Sequence, residues 1–327
     1  MAADYTFTPR WDRLSNGSVL IPERWVPALE LELPQYTFWP QFVGQAWGGV
    51  QIIQPGGGEG AIFKLRYLQD RTPTTTALTD GTKVPVSTST GVGLAQGTLQ
   101  EYGDAESVSG FANWLTDVPA QEMQGLAQAR HAFQSRNSII GNVFLATTNQ
   151  FTCDNATTVS EGSNIYAAGT NGTSVLLPAH VRKIVSSLRR KGVPTFADGY
   201  YRCIGKPGNF DAIKGESQIY ASAAALGIPG LYATGQVQTY NGVVFIEENG
   251  PYALTAWNGT ESMSCIFGAN GVVGFDNFMR PDLIRFYPDD ENDFGRKMKI
   301  GWIAYGGYVR PIDSTTAGRV WKIYHGV

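Results

Sequence analysis

The glycine runs and ionisable clusters are where this chain would show chemistry. Gly91-Val-Gly93-Leu-Ala-Gln-Gly97 resembles by eye the turn that cradles a dinucleotide pyrophosphate. It has one spacer too many, follows a Ser/Thr coil and opens no helix pattern, so no cofactor is assigned to it. Asp289-Asp290-Glu291-Asn292-Asp293 offers carboxylates to a cation, but it lacks the glycine that a calcium loop needs at its turn, and it reads as a solvated acidic loop. The three histidines, His131, His180 and His325, are too scattered for a metal site, and His131 and His180 fall on helical patterns where they read as structural. Cys153, Cys203 and Cys265 are far apart, form no CxxC pair and read as buried thiols. No nucleophile stands at a recognisable spacing from a base, although a triad can be dispersed along a chain. No catalytic, cofactor-binding or metal-ligating residue is therefore named, and no enzyme is expected. One dense basic patch remains: Arg182, Lys183, Arg189, Arg190 and Lys191. It could face nucleic acid, or it is a solvated face that complements a helix dipole.

Composition narrows the class. The chain has 327 residues, enough for a sizeable core. Only 16% are charged, below the roughly 25% usual for soluble proteins, while 12% are aromatic and 39 are glycine. That balance suits either a chain buried against other chains or a β-rich monomer with many turns. The net charge of −3 gives no basic balance for nucleic-acid binding, although a protein that merely encloses nucleic acid need not be basic. No apolar run approaches a membrane span.

The elements that must carry these residues follow from periodicity. Residues 1–58 are rich in Trp and Pro, with Trp11, Trp25 and Trp39 among the aromatics. They read as an extended arm with aromatic anchors, or as a strand layer packed on its own domain. From Gly60 a strand alternates Ala61, Phe63, Leu65 and Tyr67 against Ile62, Lys64, Arg66 and Leu68. The chain then runs through a polar Thr/Ser/Gly/Pro stretch and returns by Thr98 to Tyr102-Gly103. This is a two-armed β excursion whose arms, at about 3.3 Å per residue, reach about 30 Å and need a neighbour to lie on. Val108, Phe111, Ala112 and Leu115 predict a helix next. The longest helical pattern follows, from Ala120 to about Thr147, with a stripe of Leu126, Ala129, Phe133, Ile140 and Phe144 and weak points at Gly125 and Gly141. Phe151–Ser174 reads as a polar loop. A helix from Pro178 buries Val181, Ile184, Val185 and Leu188 and stops at Gly192. Residues 195–280 are β-rich, with an Ala-rich short helix at Ser217–Leu226 and a hairpin at Asn241-Gly242. Strands at Lys297–Tyr308 and Arg319–Tyr324 close an α+β chain.

Four groups of residues, in order, carry a resemblance. They are Gly60-Ala-Ile-Phe-Lys-Leu-Arg with Leu78-Thr79-Asp80-Gly81; Gln100-Glu101-Tyr102-Gly103; Ala129-Arg130 through Arg136-Asn137 and Ile140; and Leu188-Arg-Arg-Lys-Gly192 with Phe196-Ala-Asp-Gly-Tyr200 before Lys206-Pro207. Over roughly residues 50–327 the chain resembles the major capsid proteins of tailed double-stranded-DNA bacteriophages, in the branch related to the N-four phage coat protein. It departs from the pattern at Lys206-Pro207, where relatives carry His-Pro. The resemblance implies the Hong Kong 97-type fold: an N-terminal arm at 1–58, a long hairpin called the E-loop at 59–103, a peripheral domain at 104–194 with a spine helix at 120–147, an axial domain at 195–280, and closing strands of the peripheral domain at 281–327.

The function so implied is self-assembly into an icosahedral shell around double-stranded DNA. Inter-subunit contacts are expected at Trp11, Trp25, Trp39, Phe63, Leu65, Tyr67, Asp80 and Lys83. Implied partners are copies of the chain in hexamers and pentamers, a portal, a decoration protein, and DNA held without sequence-specific contacts. The chain starts at Met1, so scaffolding is expected from a separate protein rather than a cleaved leader. The implied location is the virion, with assembly in the host bacterial cytoplasm. Some relatives cross-link the loop through a lysine and an asparagine; Lys64 and Lys83 are its lysines, and no partner is legible. The alternatives are the shell of a cellular nanocompartment with the same fold, or a virion decoration or surface-binding protein.

Overall fold

The structure, a computed structural model, describes residues 39–44, 62–68, 92–109, 120–167, 172–214, 239–248, 261–276, 282–286 and 297–326. After a 3-10 turn at Trp39–Phe42 come strands β1 (Ile62–Leu68), β2 (Val92–Thr98) and β3 (Gln100–Ser109). Helix α1 (Ala120–Leu145), strands β4 (Asn149–Cys153) and β5 (Val159–Ser163), and helix α2 (Pro178–Arg190) follow. Then come β6 (Tyr201–Gly205), a 3-10 turn at Pro207–Phe210, the single turn α3 (Asp211–Lys214), β7 (Thr239–Tyr240), β8 (Val243–Glu247) and β9 (Glu261–Phe267). The described chain ends with β10 (Val273–Asp276), β11 (Asp282–Phe286), β12 (Lys297–Val309) and β13 (Val320–Gly326).

These strands make three sheets. A seven-stranded sheet runs β5-β4-β13-β9-β6-β8-β7, a four-stranded sheet gathers β10, β11 and β3 around β12, and among the described residues β1 pairs only with β2. The ranges 104–194, 195–280 and 281–327 all lend strands to the large sheet.

The large sheet is buried on both faces. Period-2 alternation sends Tyr201, Cys203, Ile266, Trp321 and Ile323 to one face, under Val181, Ile184, Val185 and Leu188 of α2. Ile204, Cys265, Phe267, Val320 and Tyr324 go to the other, under Ile140 and Phe144 of α1. Earlier on α1, Ala132 packs with Trp302 and Ala304 of the four-stranded sheet. One helix thus bridges both sheets, and it runs unbroken through Gly125 and Gly141. Its buried side differs from the expected stripe: Ala129 and Phe133 are half-exposed, while Gln128, Arg136 and Asn137 are buried.

Helix α2 keeps its expected start, buried face and stop, with Gly192 at φ +67° beyond its end. The Asn241-Gly242 turn has φ values of 47° and 84°, the left-handed pair that a tight hairpin requires.

Two expectations fail. No helix begins at Val108, which lies in β3; residues 110–119 are outside the described residues. β3 pairs with β12 over ten residues although Gly103 to Ser107 are all exposed. A backbone ladder, not an apolar face, holds it, so it shows no hydrophobic period. The segment read as a polar loop from Phe151 contains the end of β4 and all of β5. All five residues of β4 are buried, and the Asn155 side chain builds the turn by accepting from the Thr157 and Thr158 N–H groups at 3.1 and 2.9 Å. Ser217–Leu226 lies outside the described residues.

A polar junction fixes the C-terminal end of α1. Asp313 accepts from Thr147 Oγ1 at 2.7 Å and Asn149 Nδ2 at 3.0 Å, and Arg310 Nε donates to its other oxygen at 2.8 Å. Arg310 Nη1 donates to the Val143 carbonyl at 2.6 Å, a cation on the negative end of the helix. Asp313→Ala is expected to lower stability by about 2 kcal/mol in urea unfolding, the loss of a charged acceptor serving buried donors.

Candidate functional site

The described residues of the excursion's two arms pair with each other. β1 and β2 pair antiparallel over seven positions, from Ile62↔Thr98 to Leu68↔Val92. Phe63, Leu65 and Tyr67 stand opposite Gly97, Ala95 and Gly93. The register pairs these positions with small residues, and from Val92 on the glycine run that resembled a dinucleotide turn is an extended strand. Along β2 the alternation is complete. Gly93, Ala95 and Gly97 are buried, and Leu94, Gln96 and Thr98 are exposed, with Leu94 at 52%. Asp80 and Lys83, in the excursion, and Trp11 and Trp25, in the arm, lie outside the described residues.

Trp39 corrects the reading of the arm. Expected to anchor against a neighbouring copy, it is fully buried in its own chain. Its ring lies 5.0 Å from that of Phe144 and 6.5 Å from that of Phe267. Its backbone N–H donates to Asn137 Oδ1 at 2.8 Å, and its Nε1 donates to Glu248 Oε1 at 2.9 Å. A large aromatic with one polar edge finds both an apolar slot and an acceptor here, so it is spent inside the subunit. At this position the arm packs on its own domain. The next fixed point is Gly44, whose N–H donates to the Val272 carbonyl at 2.9 Å.

The basic patch divides. Arg182, Lys183, Arg189 and Arg190 are exposed on the outer side of α2. Lys191 is not part of that face: it is half-buried, with Nζ 4.2 Å from the Trp321 ring centroid, 2.5 Å from the Thr315 carbonyl oxygen and 3.8 Å from Glu161. A lysine so engaged inside its own chain is withdrawn from the nucleic-acid-facing set.

The histidines have structural places. His180 is fully buried, and its Nδ1 accepts the Leu177 N–H at 3.1 Å at the start of α2. His131 Nδ1 accepts from Trp302 Nε1 at 3.2 Å and lies 3.5 Å from Asp104, at one edge of an open groove of about 440 Å³ between α1 and strands β3 and β12. His325 forms a hydroxyl–imidazole pair that sequence reading missed, because 61 residues separate its members. Its Nδ1 bonds the Gly326 carbonyl at 2.8 Å, so that nitrogen carries the proton and Nε2 accepts from Ser264 Oγ at 2.9 Å. Asn209 Nδ2 also donates to Ser264 Oγ, at 3.0 Å. Both members of the pair are fully buried, and a backbone carbonyl stands where a catalytic pair would place a carboxylate. The three cysteines are buried free thiols. Among the described residues no cluster of His, Cys, Asp and Glu could hold a metal ion.

Burial pushes His325 down to about 4, the Gly326 hydrogen bond opposes this, and the nearby His180 adds to it. A histidine depressed in the folded state costs nothing above its unfolded value near 6.5, and costs stability progressively as pH falls from there to about 4. The loss over that window is about 3 kcal/mol. Urea unfolding of His325→Gln is expected to show a flatter stability profile between pH 6.5 and 4 than the parent.

No family model and no curated protein matches the sequence. Solved structures do match. A Mycobacterium phage Che8 structure superposes with a TM-score of 0.63 at 12% identity, covering 93% of this chain and 97% of its own. The cyanophage Pam1 capsid asymmetric unit gives 0.62 at 12% identity, covering 99% of each chain. The mature capsid of bacteriophage PhiM1 gives 0.56 at 12% identity, covering 99% of this chain and 98% of its own. Nearly from end to end, the chain has the α+β Hong Kong 97-type fold of phage capsids.

Proposed function

We propose that this chain is the major capsid protein of a tailed double-stranded-DNA bacteriophage, a structural protein that assembles into the icosahedral shell enclosing the genome. The observation that carries this reading is the end-to-end correspondence with phage capsid chains, 99% of each chain in the cyanophage case. The hairpin adds a physical reason. A two-stranded ribbon is marginal in water by itself, and β1–β2 has no third strand among the described residues. In the shell its neighbour is a second copy, and the polar tip lies across that copy as a clasp. Phe63, Leu65 and Tyr67 at its base, Asp80 and Lys83 in the excursion, and Trp11 and Trp25 in the arm are the assigned inter-subunit contacts.

Spreading contacts over several neighbours lets each copy bury more than the roughly 2,000 Å² at which obligate interfaces begin. Copies gather as hexamers and pentamers, with a separate scaffolding protein, a portal and a decoration protein as partners. Assembly takes place in the host bacterial cytoplasm. The enclosed DNA meets the shell through phosphates alone, at Arg182, Lys183, Arg189 and Arg190. A net charge of −3 keeps the inner wall from gluing the genome in place.

Deleting residues 72–89 removes the excursion tip and leaves both ladders of the body intact. The deletion protein is expected to keep its circular dichroism spectrum and cooperative melt, yet to give no stable shells by electron microscopy under conditions where the parent does. Normal shells from the deletion protein would contradict the clasp. Nucleic acid inside the parent particles, rather than an enzyme cargo, separates a genome shell from a nanocompartment.

A further inference from the structure

Three parts of the chain meet at one carboxylate. Glu248 follows β8 and is 4% exposed. Its Oε1 accepts from Trp39 Nε1 of the arm at 2.9 Å and from Asn137 Nδ2 of the spine helix α1 at 3.5 Å. Asn137 closes the triangle by accepting the Trp39 backbone N–H at 2.8 Å. The other oxygen, Oε2, is buried with no hydrogen-bond partner among the described residues. An ionised carboxylate offers about four acceptor positions, and leaving them empty away from water is costly. The apolar side chains of Trp39, Ile140, Phe144, Ile204 and Phe267 cluster on this face of the sheet.

We propose that Glu248 is a proton-linked latch: protonated, it holds the arm seated between the spine helix and the large sheet; ionised, it loosens Trp39. Among the described residues, the charged and titratable groups around it are few. Lys206, in the turn after β6, favours the ionised form, and Cys265 of β9 senses the carboxylate's charge. Arg136 is buried beside Asn137 on α1. Burial lifts the Glu248 carboxyl above its ordinary range, against the pull of the Trp39 and Asn137 donors and of Lys206. The sign follows. A carboxyl whose value is raised in the seated state favours seating fully below its free value near 4.5, and that advantage is lost as pH rises through the raised value. When Trp39 leaves, water reaches the carboxylate and the ionised form is relieved. The latch belongs to the single chain and does not depend on the shell reading.

Hydrogen exchange of the full-length protein reads the latch directly, because the Trp39 N–H is one of its bonds and the Gly44 N–H is bound nearby. Protection of the peptide spanning 39–44, corrected for the intrinsic pH dependence of exchange, is expected to fall as pH rises above about 4.5, by at most tenfold per pH unit, the limit for one proton. Glu248→Gln keeps the shape and the acceptor oxygen but cannot ionise, and its protection is expected to be flat across that range. Trp39→Phe keeps an aromatic ring and removes the donor that favours the ionised form, so its decline is expected to continue to higher pH. A parent profile without pH dependence, a slope retained in Glu248→Gln, or a Trp39→Phe decline ending at the same pH as the parent's would overturn the latch.

Discussion

A ribbon of two strands cannot hold itself out in water, and the rest of this molecule is arranged around that constraint. Seven residue pairs join β1 to β2, and no other described strand extends their ladder. A hairpin of this kind persists when something lies along it. The chain's low charge, 16% of residues, fits a surface that is largely covered in use. The ribbon also needs a stiff base. It has one, because β2 passes within two residues into β3, and β3 is locked to β12 over ten positions.

That base is braced by α1. Its 26 residues span about 39 Å, and they touch both sheets. A helix bridging two sheets cannot present one clean apolar stripe, since its surroundings change along its length. Ala132 meets Trp302 and Ala304 in the middle; Ile140 and Phe144 meet the aromatic layer of the large sheet near the end. Asn137 lies between these contacts and is buried because it serves the Trp39 backbone and Glu248. The Asp313–Arg310 junction then fixes the far end, so a load on the base passes through a helix held at several points along its length.

Much of this was legible in the sequence where side chains carry the structural signal. The span of α1, the buried face and stop of α2, and the Asn241-Gly242 turn all follow from periodicity and turn chemistry. The hairpin strand at Phe63, Leu65 and Tyr67 was legible too, by its alternation. What could not be read was structure held by the backbone or by polar pairing. β3 is exposed along most of its length and exists because β12 offers it a ladder. β4 buries Asn149, Gln150 and Thr152, residues that a hydrophobicity reading assigns to a loop. The interior place of Trp39 depends on Asn137 and Glu248, about a hundred and two hundred residues downstream, and no local pattern announces such a meeting. The Ser264–His325 pair was hidden in the same way. In each case the missing information was a partner distant in sequence.

The central claim is that the β1–β2 hairpin, which has no third strand among the described residues, is completed by another copy of the same chain. Cryo-electron microscopy of the purified full-length protein tests this most directly. The account predicts closed shells in which the β1–β2 hairpin of every subunit lies on a neighbouring subunit. A protein that stays monomeric under all assembly conditions, or shells in which the hairpin folds back on its own body, would contradict it.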